Sequence, residues 1–192
     1  ETGNHGTEPP EGLMMQADYR RGFAELGPRG LTFEAWCYHP QIPEVTDLAR
    51  AFPDTTIILD HFGGPLGTGP YTGQGDAVFE AWKPMMKDLA GCPNVVAKLG
   101  GINMTVNGFG WENRPKPPTS QELADATRRY YDFTIEAFGV DRCMFASNFP
   151  VDGLCASYDT IFTGFKRMVA ALPAEDQRKL FHGNAVTYYQ PV

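Results

Sequence analysis

The chain has 192 residues, 42% of them hydrophobic and 20% charged, a composition typical of one globular domain with a buried core. Its net charge of −7 argues against nucleic acid as the main partner, and no stretch approaches the ~18 apolar residues of a membrane helix. The four cysteines form no CxxC pair, which is typical of reduced thiols in a cytoplasmic protein rather than of a disulfide framework.

Strand-like and helix-like segments alternate along the chain. The predicted helices cover 15–26, Pro43 to the residue before Pro53, 77–90, 119–138 and 157–171, followed by two short helices over 173–189 with Asn184 as a cap. The predicted strands cover 31–39, 55–61, 94–101 and 142–148. Repeated β-loop-α units with apolar strands predict an α/β fold with a parallel sheet, namely a (β/α) barrel or part of one.

Polar residues stand at the ends of three of these strands. His39 ends the first strand, His61 the second and Asn148 the fourth, whereas the third ends at Gly100 and Gly101. The carboxyl ends of parallel strands gather at one edge, so we expect His39, His61 and Asn148 to face a common cleft.

Side-chain alternation gives a prediction for the two faces of the sheet. On the first strand, His39 shares its face with Phe33, Ala35 and Cys37. We predict that this face fills the barrel interior, with the residues Phe33, Ala35, Ile57, Leu59 and Ala146 on it. No GxGxxG, GxSxG or Walker motif indicates another catalytic fold.

Four segments in order resemble the amidohydrolase-related family of TIM-barrel hydrolases, in its lactone-hydrolase branch. They are FEAWCYHPQIPEVTDLARAFPDTTIILDHFGGP, NVVAKLGG, FGVDRCMFASNFPVD and LFHGNAVTYY. The resemblance implies that residues 1–192 are one partial domain holding strands five to eight of an eight-stranded barrel. We therefore expect a natural protein longer at its amino end by roughly 100 residues or more. The bare outer strands and uncovered inner face of a half-barrel predict self-association and inactivity when the chain is alone.

The resemblance also implies roles for the strand-end residues. His39 and His61 match family histidines that bind a divalent metal (zinc or manganese) in the full-length protein or contact substrate oxygens. Asn148 stands where many relatives carry an aspartate that activates water. An amide takes no proton, so His61 or Asp152 is left as the proton acceptor. Two histidines and one amide are too few for a zinc site, so we expect no tight metal binding by this chain alone.

Four further residues are candidates for substrate binding, each with an ordinary structural alternative. Gln41 either bonds a substrate or caps the next helix, and Lys98 either binds a carboxylate or forms an ion pair. Trp111 and Arg114 either cover a ligand or lie in an exposed loop. His5 and His182 are expected to be surface residues, and Cys37 and Cys143 core thiols.

Three functions remain open at this point. The first is hydrolysis of a small lactone or related cyclic ester by metal- or histidine-assisted attack of water. The second is non-oxidative decarboxylation of a small carboxylic acid by the same superfamily fold. The third is an inactive half-barrel that binds a ligand or associates with another copy. The expected partners are a small-molecule substrate and a second copy in a homo-oligomer, with no nucleic acid or membrane.

Overall fold

Four short parallel strands form one sheet in the computed structural model, which describes residues 10–190. They are β1 (Phe33–Ala35), β2 (Ile57–Leu59), β3 (Val95–Leu99) and β4 (Cys143–Phe145), and neighbours in the sheet are neighbours in the chain. Ile57 pairs with Phe33 on one side and Val95 on the other. The predicted parallel α/β fold is confirmed; His5 lies outside the described residues.

Helices connect the strands and follow the last one. They are α1 (Ala17–Phe23), α2 (Ile42–Ala51), α3 (Gly75–Ala90), α4 (Ser120–Phe138), α5 (Tyr158–Met168), α6 (Ala174–Arg178) and α7 (Asn184–Tyr189). The capping box before α4 forms as its sequence predicts: Thr119 Oγ1 accepts from Glu122 N, and Glu122 Oε2 accepts from Thr119 N. Short 3₁₀ turns occupy much of the intervening loops, including the long one after β3.

Asn184 has a different role from the predicted helix cap. A π-helical turn, Lys179–Gly183, runs directly into α7, so no free helix start is left for a side-chain cap. The Nδ2 of Asn184 instead donates to the carbonyl oxygens of Val140 and Cys143, each at 2.7 Å. Asn184 therefore anchors α7 to the start of β4.

The prediction for the two faces of the sheet is wrong for the first two strands. Phe33, Ala35, Ile57 and Leu59 point toward the helices and pack in or against the main hydrophobic core. The other face carries Ile58 together with Val96 and Met144. The sequence carries no signal for this choice at β2, because Ile57, Ile58 and Leu59 are all apolar and all fully buried.

This second face has a cover, contrary to the expectation of a bare inner face. Ala185 and Tyr188 of α7 pack against Ile58, Val96 and Met144, which are at most 1% exposed. The hydroxyl of Tyr189 also donates to Glu34 on β1. The last helix therefore covers Ile58, Val96 and Met144 on the face opposite the main core.

The outer strands are open at the sheet edges. Within residues 10–190, β1 pairs only with β2 and β4 only with β3. Leu31 and Trp36, on either side of β1, are 51% and 41% exposed. Across the same residues no helix is both long and apolar enough to span a bilayer.

Candidate active site

The end of β2 positions His61 against the end of β3. Its backbone has a φ of 53°, and its Nδ1 lies 3.1 Å from the carbonyl oxygen of Gly100. A carbonyl oxygen only accepts hydrogen bonds, so Nδ1 must carry the proton. The other ring nitrogen, Nε2, is consequently left with a lone pair when His61 is neutral.

Two glycines at the end of β3 make room for this arrangement. Gly101 has a φ of 74°, and a Cβ atom there would lie 2.3 Å from Nδ1 of His61. A Cβ on Gly100 would lie 1.8 Å from the carbonyl oxygen of Ala146, which follows β4. The two residues therefore allow both the imidazole ring and the end of β4 to approach the backbone of β3 closely.

The surroundings of His61 favour its neutral form. Burial lowers the pKa of its imidazole, and the positive charge of Lys98 lowers it further, against the hydrogen bond to Gly100. The ring also packs edge-on against Trp36 beyond the end of β1, with the ring centres 5.5 Å apart. At neutral pH this side chain is therefore a proton acceptor rather than a cation.

The loop after β4 couples Asn148 to Asp152. Asn148 has a φ of 50°, and its Nδ2 donates to Oδ1 of Asp152 at 2.8 Å. Asp152 is fully buried, and its Oδ2 has no hydrogen-bond partner among the described residues. Burial raises the pKa of this carboxyl to about 6, although the bond from Asn148 lowers it. Asp152 can therefore gain or lose a proton close to neutral pH.

Asn103 is a buried polar residue near this carboxyl that the sequence interpretation missed. It lies two residues beyond Gly101, is 1% exposed, and is close enough to lower the pKa of Asp152. Neither its Oδ1 nor its Nδ2 has a hydrogen-bond partner of good geometry within residues 10–190. Both the side chain and the backbone N–H of Asn103 act on the Asp152 carboxyl and lower its pKa, so Asn103 belongs to the same buried polar group.

His39, at the end of β1, has the opposite arrangement to His61. Its ring nitrogen Nδ1 accepts a hydrogen bond from the backbone N–H of Leu66 at 3.2 Å. The backbone N–H of His39 donates to the Gly64 carbonyl oxygen. Nδ1 therefore has no proton, and Nε2 of the neutral ring carries it. Burial lowers the pKa of this histidine, and its ring contacts Tyr71 edge-on at 5.0 Å. Among the described contacts, none joins His39 to His61 or Asn148.

Lys98 lies on the inner face and binds two carboxylates. Its Nζ is 2.5 Å from Oε2 of Glu34 and 2.8 Å from Oδ1 of Asp60. These partners raise the pKa of Lys98, although burial opposes them, and burial followed by Glu34 raises the pKa of Asp60. The structure thus shows the ion-pair alternative for Lys98.

The other three substrate-binding candidates are engaged locally. Oε1 of Gln41 accepts from the N–H of Tyr38 at 3.1 Å, as a cap of the turn that precedes α2. Arg114 donates to Glu122 at 2.8 Å, and its guanidinium lies 5.4 Å from the ring centre of Trp111. None of these contacts involves the strand-end group, so their substrate contacts stay predictions.

The described residues do not fit a complete metal site. Within residues 10–190, no group of three or more histidine, cysteine, aspartate or glutamate side chains is arranged to hold an ion. Of the two predicted ligands, His61 has a free lone pair at Nε2, whereas Nδ1 of His39 is occupied by the Leu66 N–H. Structural and catalytic zinc sites take three or four protein ligands, more than the described residues bring together.

A parallel sheet whose strands are connected by helices defines this chain as an α/β protein. Residues 3–190 match the amidohydrolase family. The chain belongs to the amidohydrolase family, as its motifs predict.

Relatives and solved structures agree with this family. The chain is 41% identical over 173 residues to the uncharacterized protein y4mH of Sinorhizobium fredii, covering 90% of this chain and 52% of that protein. It is 28% identical over 178 residues to an L-fucono-1,5-lactonase of Burkholderia multivorans, covering 92% and 57%.

Among solved structures, a Burkholderia multivorans amidohydrolase with bound zinc aligns with a TM-score of 0.80 at 27% identity, covering 93% of this chain and 59% of that one. The chain thus spans little more than half the length of the relatives it matches.

Proposed function

We propose that this chain forms strands five to eight of an eight-stranded barrel and contributes to the active site of a hydrolase that opens a small lactone. Membership of the amidohydrolase family supports a hydrolase. The similarity to an L-fucono-1,5-lactonase supports a lactone as the substrate class. The unpaired edges of β1 and β4 fit a sheet that continues on both sides.

The observation that carries the proposal is that Nδ1 of His61 is bonded while no contact within residues 10–190 engages its Nε2. The bond from Nδ1 to Gly100 fixes the tautomer and the ring orientation. Burial keeps the ring neutral at pH 7, because it disfavours the charged form. A neutral, oriented imidazole at the carboxyl end of a parallel sheet is suited to general-base catalysis.

In the proposed reaction, Nε2 of His61 takes a proton from water while the water oxygen attacks the lactone carbonyl carbon. The resulting tetrahedral species breaks its bond to the ring oxygen, and the imidazolium returns the proton to that oxygen. The product is the open hydroxy acid, so the residue ends neutral, as it began. Atoms and charge balance without any further reactant.

Asn148 and Asp152 orient the water in this proposal. The Nδ2 of Asn148 is held by Asp152, which leaves the amide Oδ1 to accept a hydrogen bond from the attacking water. Asp152 acts through Asn148 and exchanges a proton near neutral pH, since burial raises its pKa to about 6. Asn148 and Asp152 together would thus take the place of the aspartate that many relatives carry at the position of Asn148.

The test compares lactone hydrolysis by two histidine variants of the chain extended at its amino end by the preceding coding sequence. The substrate is L-fucono-1,5-lactone, followed with a pH indicator. His61→Asn keeps a side chain that tolerates positive φ, and we expect it to lose about 100-fold or more in kcat. His182→Gln, at an exposed helical position, is the matched control and should keep its rate. A His61→Asn variant with the unaltered rate would refute the role of His61.

A second measurement tests the half-barrel. The 192 residues alone should show no lactonase activity and should elute as oligomers in size-exclusion chromatography, because both sheet edges are open. An active, monomeric 192-residue chain would contradict the half-barrel while leaving the lactonase proposal intact.

A further inference from the structure

Trp36 is a large aromatic residue that is exposed next to the proposed catalytic base. It directly follows the last residue of β1, and 41% of its surface is exposed. The centre of its indole lies 5.5 Å from that of the His61 imidazole, and the two rings are nearly perpendicular. The indole is therefore an immediate neighbour of a molecule bound at His61.

The burial pattern around the end of β1 places Trp36 on the second face of the sheet, opposite the main core. Its neighbours Ala35 and Cys37 are both buried and belong to the main core. Side chains alternate along extended backbone, so Trp36 shares its face with Glu34, which pairs with Lys98. In an eight-stranded barrel this face is the interior, and its carboxyl end is the mouth where substrates bind. A strand added beside β1 would cover its edge and leave this face toward the mouth.

The surrounding protein fixes the orientation of the indole. A Cβ on Gly64 would lie 3.0 Å from the Trp36 ring and 3.1 Å from the Tyr38 ring, so both rings pack closely on the backbone of this glycine. The Tyr38 ring also packs edge-on against the indole, with the ring centres 5.3 Å apart. The indole is thus held by Gly64, Tyr38 and His61. A ring that is already fixed loses little conformational entropy when a ligand packs against it.

A fixed and exposed aromatic surface suits the carbon atoms of a cyclic substrate. The C–H groups of a lactone ring form an apolar surface, and removing that surface and the indole from water is favourable. We propose that Trp36 is a substrate-binding residue, which packs against the ring of the lactone while His61 acts at its carbonyl group. This inference rests on the proposed function and adds to it the residue that recognises the ring.

The first test separates binding from chemistry in the chain extended at its amino end, with L-fucono-1,5-lactone as the substrate. Trp36→Leu keeps an apolar side chain but removes the aromatic surface, so KM should rise about ten-fold while kcat stays within about two-fold. Trp36→Phe keeps an aromatic ring and should bring KM back to within about three-fold of the parent value. Tyr19→Leu removes an aromatic ring that packs on the main core from α1, and as the matched control it should leave KM and kcat unchanged. An unchanged KM in Trp36→Leu, or a fall in kcat larger than the rise in KM, would overturn the proposal, because Trp36 would then only support His61.

A second measurement detects the ring contact without catalysis. L-fucose forms a six-membered ring but has no lactone carbonyl, so it is a probe that the protein does not hydrolyse. In the 15N-labelled extended chain, L-fucose should shift the indole N–H signal of Trp36, which is assigned by its loss in Trp36→Leu. No shift at about 50 mM L-fucose, which detects a binding free energy of about 2 kcal/mol, would overturn the proposal.

The two measurements distinguish this proposal from the proposed function. A shift of the Trp36 signal in a chain that hydrolyses no lactone would refute the lactonase and leave Trp36 as a ring-binding residue. Lactone hydrolysis with an unchanged KM in Trp36→Leu would leave the lactonase intact and refute the role of Trp36.

Discussion

The end of β1 and the ends of β2 to β4 carry similar residues that are bonded in opposite ways. At the end of β1, His39 is buried with its Nδ1 and its backbone N–H both hydrogen-bonded to the following loop. At the other ends, no contact within residues 10–190 engages Nε2 of His61, and Asn103 acts on the buried carboxyl of Asp152. The two histidines are therefore both buried, but they differ in how much hydrogen-bonding capacity the protein leaves unused.

The largest loss of stability that we expect comes from Gly101→Ala, which disturbs the packing of His61. The new Cβ would collide with the His61 ring, and alanine would be held at a φ of 74°. We expect a loss of about 3–4 kcal/mol in the free energy of unfolding, measured in urea on the chain extended at its amino end, as for the activity test. Gly110→Ala has a similar φ with nothing within 4 Å, so it should cost only about 1 kcal/mol. Equal losses in the two variants would show that His61 does not pack against Gly101.

The next effect concerns the pH dependence of stability at Asp152. Its folded pKa, about 6, lies above the ordinary value of 3.8, so the folded state holds the proton more tightly than the unfolded state. The associated stabilisation is present below pH 4 and is lost as the pH rises through 6, a change of about 3 kcal/mol. Asp152→Asn removes this dependence, so its stability relative to the parent should rise between pH 4 and pH 7. A constant difference in the free energy of unfolding between the parent and Asp152→Asn across that range would contradict the raised pKa of Asp152.

A smaller loss is expected at His39, whose role in this comparison is structural. His39→Leu keeps the volume apolar but leaves the N–H of Leu66 without its acceptor. We expect destabilisation by about 2 kcal/mol in urea unfolding. His182→Leu, at an exposed position, should change the free energy of unfolding by less than about 0.5 kcal/mol. If both variants had the same free energy of unfolding, the hydrogen bond from Leu66 to His39 would not contribute to stability.

The smallest effect is a difference in proton position, which NMR detects directly. Nitrogen shifts should show the proton on Nε2 of His39 and on Nδ1 of His61. Both imidazoles should titrate below 6.5, since burial lowers both pKa values. The neutral forms stabilise the folded state above pH 6.5, and this contribution is lost as the pH falls through the folded pKa values. The same tautomer in both rings would contradict the opposite hydrogen bonding of Nδ1 in His39 and His61.

Local signals predicted much of the fold. The Thr119–Glu122 capping box gives the start of α4, and the alternation of β and α segments gives the parallel sheet. The strands are shorter than predicted, because the chain turns out of the sheet soon after Ala35, Leu59 and Phe145. The predicted interior face of β1 and β2 is wrong, because side-chain alternation carries little information where apolar residues occupy both faces.

The site was less predictable because its decisive contacts join distant parts of the chain. His39 and His61 look equivalent in the sequence, yet one accepts from a residue 27 positions away and the other bonds one 39 positions away. Asn103 belongs to no motif, and its burial against the end of β4 follows only from the strand order. The sequence left either His61 or Asp152 as the proton acceptor, and only the structure shows that Asp152 accepts a hydrogen bond from Asn148.

The docking of α7 on the second face of the sheet makes two strands depend on the last helix for protection from solvent. Ile58 and Val96 are covered by Ala185 and Tyr188, and Asn184 ties the same helix to β4. Any excursion that releases residues 184–189 would open the backbone of β2 and β3 to hydrogen exchange as one local unit. The amides of these strands should therefore exchange together with those of α7, at a rate set by the helix rather than by global unfolding.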